Sequence, residues 1–125
     1  MLIVEMPGLT CVILLWWAAA PGFAPVRRLL ETHCVACHNG PRGTMGLDVT
    51  TWRGLQKGGS RGPAVVPGRP DDSAAYLMME SGGMPPKGPR VDPADVEVFR
   101  RWIAAGAHWP AGVALRNAQA RRRMP

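Results

Sequence analysis

The sequence predicts a mainly α domain in which three to five short helices, joined by long Gly/Pro-rich loops, wrap around one covalently bound prosthetic group. Three observations predict it. Cys34-Val35-Ala36-Cys37-His38 places two thiols three residues apart with an imidazole directly after them. Apolar residues recur at helical spacing before this run and again near Val96–Ile103, while no strand-like alternation surrounds it. Fifteen glycines and thirteen prolines in 125 residues leave room only for short elements and a modest apolar core. A large flat apolar group inside the domain would make up that deficit.

The C-x-x-C-H run is the spacing of covalent haem attachment. Two thiols can add across the vinyl groups on one porphyrin edge, and the histidine beside the second thioether can supply an axial nitrogen. Two other readings compete. A redox dithiol expects a βαβ setting, and a zinc site needs a second ligand pair. Only Cys11, His33 and His108 could provide that pair, and Cys11 sits in a hydrophobic leader. Haem c, one per chain, is the expected cofactor.

Residues 1–22 read as a signal peptide or N-terminal anchor. Leu9–Ala20 is an uninterrupted run of twelve apolar or small residues, the length of a signal core and short for a membrane span. Ala18, Ala19, Ala20 and Gly22 offer small residues for cleavage, whereas the start carries Glu5 and no Lys or Arg. Left uncleaved, residues 1–20 would anchor the chain. The expected location is outside the cytoplasm, periplasmic or in the cell envelope.

Pro25–His33 is expected as a first helix with Pro25 at its first position. Val26, Leu29, Leu30 and His33 share one face, with Arg27, Arg28 and Glu31 opposite. Asn39-Gly40-Pro41 then stops it. Residues 41–68 read as a glycine-dense connection with one short turn over 48–52 capped by Asp48. Trp52, Lys57 and Arg61 are candidates for the haem propionates, or surface groups. Asp71–Glu80 reads as a second helix with acids at its start and Gly82-Gly83 at its end. On it Ala75, Met78 and Met79 could face the core.

Met84 lies in the loop Gly83-Met84-Pro85-Pro86-Lys87-Gly88. Glycine lets the loop turn closely and two prolines stiffen it, so a soft thioether is presented rigidly to the sixth iron position. Met78 and Met79 are better explained as core filler. Met45 lies too near the motif to reach the opposite face. Asp92–Ala105 is the clearest helix, with Asp92 as N-cap, Pro93 first, and Val96, Phe99, Trp102 and Ile103 as its apolar stripe. Residues 111–125 lack such a stripe and are expected to form a basic, disordered tail.

Together these pieces resemble a class I c-type cytochrome. More narrowly, Cys34–His38, Lys57-Gly-Gly, Gly62-Pro-Ala-Val-Val-Pro-Gly68, Gly83–Gly88 and Arg101-Trp-Ile-Ala-Ala-Gly-Ala-His-Trp-Pro110 resemble the planctomycete-type cytochrome c domain, over about residues 23–110. The resemblance implies thioethers at Cys34 and Cys37, His38 as proximal ligand and Met84 as distal ligand. It also implies that Pro41 offers its carbonyl to the other His38 nitrogen. The stretch before Asp48 is a residue shorter than the family's. Such domains often open much larger chains, and no companion catalytic domain is expected here.

The expected function is that of a monohaem carrier of single electrons between exported redox proteins, met by transient contact at the haem edge, and not an enzyme. A small peroxidase-like haem enzyme and a haem-containing interaction or sensing module of a cell-surface assembly are the alternatives. The net charge of +6 includes Arg116, Arg121, Arg122 and Arg123 near the end of the chain. No patterned basic face with stacking aromatics accompanies it, which argues against nucleic acid.

Overall fold

The computed structural model describes residues 22–40 and 43–117. The leader before Gly22, Pro41 and the arginines Arg121, Arg122 and Arg123 lie outside the described residues. Four α-helices and two 3₁₀ turns make up the described chain, with no strand among them. A lone bridge pairs Gly59 with Gly62. The fold is mainly α. None of the described helices is long and apolar enough to cross a membrane.

Helix α1 spans Phe23–His33 and buries Val26, Leu29 and Leu30, the face its spacing predicts. It starts two residues earlier than Pro25, which therefore sits in the first turn, where its missing N–H costs nothing. The extension follows from packing. The Phe23 ring meets Trp109 edge-on at 4.7 Å and lies 6.4 Å from Trp102. Glu31, expected to face away, is instead 7 % exposed.

Helix α2, Trp52–Lys57, replaces the turn expected under Asp48. Its cap is Thr51, whose hydroxyl accepts from the Gly54 N–H at 3.0 Å. Asp48 serves Thr50 instead, accepting from its N–H at 2.9 Å and its hydroxyl at 2.6 Å. An Asx-type turn outcompetes the cap because Asp48 bonds its own neighbour two residues on.

Asp71 and Asp72 form a 3₁₀ turn with Pro70, and helix α3 begins only at Ala74, running to Ser81. Ser73 separates the two and is fully buried. Its hydroxyl donates to the Arg69 carbonyl at 2.8 Å and accepts from the Val66 N–H at 2.9 Å, so the polar atom is satisfied. Gly82 closes α3 in the left-handed conformation, φ 79°.

Helix α4, Pro93–Ala104, starts under Asp92, which accepts from the Ala94 N–H at 2.8 Å. It packs against α1 and α3 and buries Val96, Phe99, Trp102 and Ile103. Trp102 is 2 % exposed, and its indole N–H donates to the His108 carbonyl at 3.0 Å. Trp52, Trp102 and Trp109 join Phe23 in one aromatic cluster, which ties α1, α2 and α4 together. Packing does not stop at Pro110. Residues 111–117 return over α1, and Leu115 is buried.

Candidate functional site

The site begins where α1 ends. The N–H groups of Cys34 and Val35 both donate to the Leu30 carbonyl at 3.0 Å, and that of His38 donates to Cys34 at 3.0 Å. The chain thus makes one further turn through the motif. Asn39 closes it, its side-chain amide donating to the Val35 carbonyl at 2.8 Å and to Ala36 at 3.3 Å. This turn presents Cys34, Cys37 and His38 to a single cleft.

His38 is mostly buried, and its Nδ1 lies 2.9 Å from the Thr44 carbonyl oxygen. A carbonyl can only accept, so Nδ1 carries the proton, which in the neutral ring leaves the Nε2 lone pair free for a metal. Such a tether fixes both ring orientation and tautomer, as metal-ligating histidines require. Pro41, which the resemblance assigns to this role, lies outside the described residues. Thr44 fills it with a backbone atom, which leaves no trace in residue type. In the haem-free chain the Cys34 thiol is pushed up to about 12, first by burial and then by the adjacent Cys37 charge. Cys37 is exposed.

The same cleft is lined by Met78 and Met79 from α3 and by Met84, Pro85 and Pro86 from the loop after it. Leu30, Leu47, Val49 and Ala64 supply apolar wall, and Ser60 and Arg61 reach the rim. The cleft and the solvent-open space at its mouth together hold about 870 Å³. Two thiols, an imidazole with a free Nε2, and thioethers in an apolar cleft are the donor set a covalent haem asks for. The residues present fit that group. The zinc reading lacks ligands, since no three His, Cys, Asp or Glu side chains converge on a metal-sized site among the described residues.

Cys34, Cys37, His38 and Met84 are all brought to this cleft, and so is His33. Of the propionate candidates only Arg61 reaches it. Trp52 belongs to the aromatic cluster, stacked on Trp109 at 6.1 Å, and Lys57 is exposed at the end of α2. His108 is exposed elsewhere. One methionine stands differently from the sequence reading. Met78 lines the cleft and stays outside the core cluster, while Met79 touches both. Met45 reaches the cleft too, half exposed, with φ 61°. A backbone kink at a non-glycine residue is not legible from spacing.

A helical domain that displays two thiols and a tethered imidazole on one apolar cleft defines a cytochrome c-like class. Residues 34–88 match the family model described as Planctomycete cytochrome C, the same domain that the sequence motifs resemble. The match opens on the first motif cysteine and includes the Met84 loop. The match points to a haem-binding, electron-transfer role for this segment. No curated protein and no solved structure matches the chain.

Proposed function

We propose that the chain is a monohaem electron carrier. Cys34 and Cys37 would hold the porphyrin by thioethers, His38 Nε2 would take one axial position and Met84 the other. The observation that carries this reading is that all four side chains line one apolar cleft, with His38 already tethered through Nδ1. Bound there, haem c supplies a one-electron iron couple. The protein's own groups tune it. Met84 is a weak, soft donor that favours the ferrous state and raises the potential, and the Thr44 tether keeps His38 from turning. Apolar walls exclude water and disfavour the more highly charged ferric state, which also raises the potential. The two prolines after Met84 restrict the loop, so changing oxidation state requires little rearrangement.

Residues 23–110 form the cytochrome domain in this reading, and residues 1–22 export it to the periplasm or cell envelope. Redox partners meet it transiently at the cleft mouth, where Cys37 and Arg61 are exposed.

The test is the haem-loaded full chain from a host with the attachment machinery. A haem-peptide mass on Cys34–His38, a sharp low-spin reduced spectrum and no carbon monoxide binding are expected. Met84→Ala should lose the thioether signature, lower the potential and admit carbon monoxide. Peroxidase turnover that survives Met84→Ala undiminished would favour the enzyme reading, with His33 in the cleft as its base.

A further inference from the structure

Glu31 is the one buried carboxylate among the described residues, three positions before Cys34 on α1. Removing a carboxylate from water is costly unless it is well bonded, and an apolar side chain would carry no such cost there. Its partners show what it holds. One oxygen accepts from Arg27 Nε at 3.2 Å, on the same helix. The other accepts from the backbone N–H of Arg116 at 2.8 Å, across 85 residues of chain.

The next bond over is equally specific. The N–H of Leu115, buried beside Arg116, donates to the Thr50 carbonyl at 2.7 Å. Thr50 adjoins Val49, whose N–H donates to the His38 carbonyl at 2.9 Å. Two consecutive residues thus grip both flanks of the motif: the helix that leads into Cys34, and the loop bonded to His38. Trp109 braces the return, its indole N–H donating to the Val113 carbonyl at 3.0 Å while its ring packs on Phe23.

We propose that residues 111–117 form a strap across the two flanks of Cys34–His38, that Glu31 is its latch, and that Glu31 is thereby a positioning residue for His38. The proposal rests on the reading of His38 as an iron ligand. It concerns a part of the chain outside the matched segment 34–88.

The test compares Glu31→Ala, Glu31→Gln, Arg116→Ala and Arg116→Pro in the haem-loaded full chain. Arg116→Pro removes the donated N–H, and Arg116→Ala keeps it. Glutamine keeps one acceptor oxygen for Arg116. Amide hydrogen exchange at Val49 is the first readout, with Leu77 in α3 as reference. Glu31→Ala and Arg116→Pro should speed Val49 exchange about tenfold or more, while Leu77 is unchanged and the other two variants stay near wild type. The reduction potential should shift in the same two variants and return in Glu31→Gln. Unchanged Val49 exchange in Glu31→Ala overturns the proposal, as does equal acceleration at Leu77, which would mean general loosening. If wild-type protein lacks a low-spin haem spectrum, the electron-carrier reading fails, and the Val49 comparison still decides whether the strap is latched.

Discussion

The ring of His38 and the carbonyl of Thr44 meet at 2.9 Å, six residues apart. The chain returns so soon because the Thr44 N–H donates to the Cys37 carbonyl at 2.9 Å, so the loop after the motif folds back on the turn it leaves. The contact uses only backbone at residue 44. Thr44→Ala should therefore leave the spectrum and potential of the haem-loaded protein at wild-type values, checked by reduced-minus-oxidised spectroscopy and redox titration.

The two motif thiols should differ in reactivity before haem is attached. Burial holds the Cys34 thiol protonated up to about pH 12, and Cys37 is exposed. The thiolate is the nucleophile, so iodoacetamide at mildly alkaline pH should label Cys37 at least about tenfold faster than Cys34. Peptide mass spectrometry over a time course checks the order. Cys34→Ala should leave the Cys37 rate nearly unchanged.

Glycine is favoured at Gly58 by both collision and strain, and at Gly106 by strain alone. Gly58 has φ 69°, and a Cβ there would run into the Gly62 backbone carbonyl. Gly106, at φ 109°, has nothing within reach of an added Cβ. Gly58→Ala should cost about 3 kcal/mol or more, by collision added to strain, and Gly106→Ala about 1–2 kcal/mol from strain alone. Denaturant midpoints of the two variants measure the difference.

Trp102 combines a buried ring, contacts with Phe99 and Trp52, and a bonded indole N–H. Trp102→Ala should destabilise the fold by about 3–5 kcal/mol, and Trp102→Phe by less. Urea unfolding followed by far-UV circular dichroism checks both.

Acid should weaken the loop before α2. Burial opposes ionisation of Asp48, but bonds from the Thr50 hydroxyl and from the Thr50 and Gly40 backbone outweigh it and hold the carboxyl below its ordinary range. A depressed folded pKa adds stability above the unfolded value, about 3.9, and that stability fades as pH falls through the folded one. Asp48→Asn should therefore flatten the acid limb of a stability-versus-pH curve and leave its neutral-to-basic limb unchanged in shape.

What the sequence determined by itself was local. Two thiols and a histidine at one spacing announce covalent haem, because the chemistry depends on adjacent residues. The α1 face of Val26, Leu29 and Leu30 and the Asp92-capped α4 follow from helical periodicity and a cap, which act within a turn or two. Nothing local announced Thr44, whose contribution is a carbonyl every residue carries. Asp48 misled because two short-range bonds to Thr50 beat the cap it was expected to form. Glu31 read as solvated on the helix wheel, since the surface that buries it arrives from Leu115 and Arg116 at the other end of the chain. Tertiary structure alone decided which methionines share the cleft with His38, because that depends on how α3 and a kink at Met45 are placed against α1. Residues of like chemistry are separated there by packing, and packing between distant segments has no period to read.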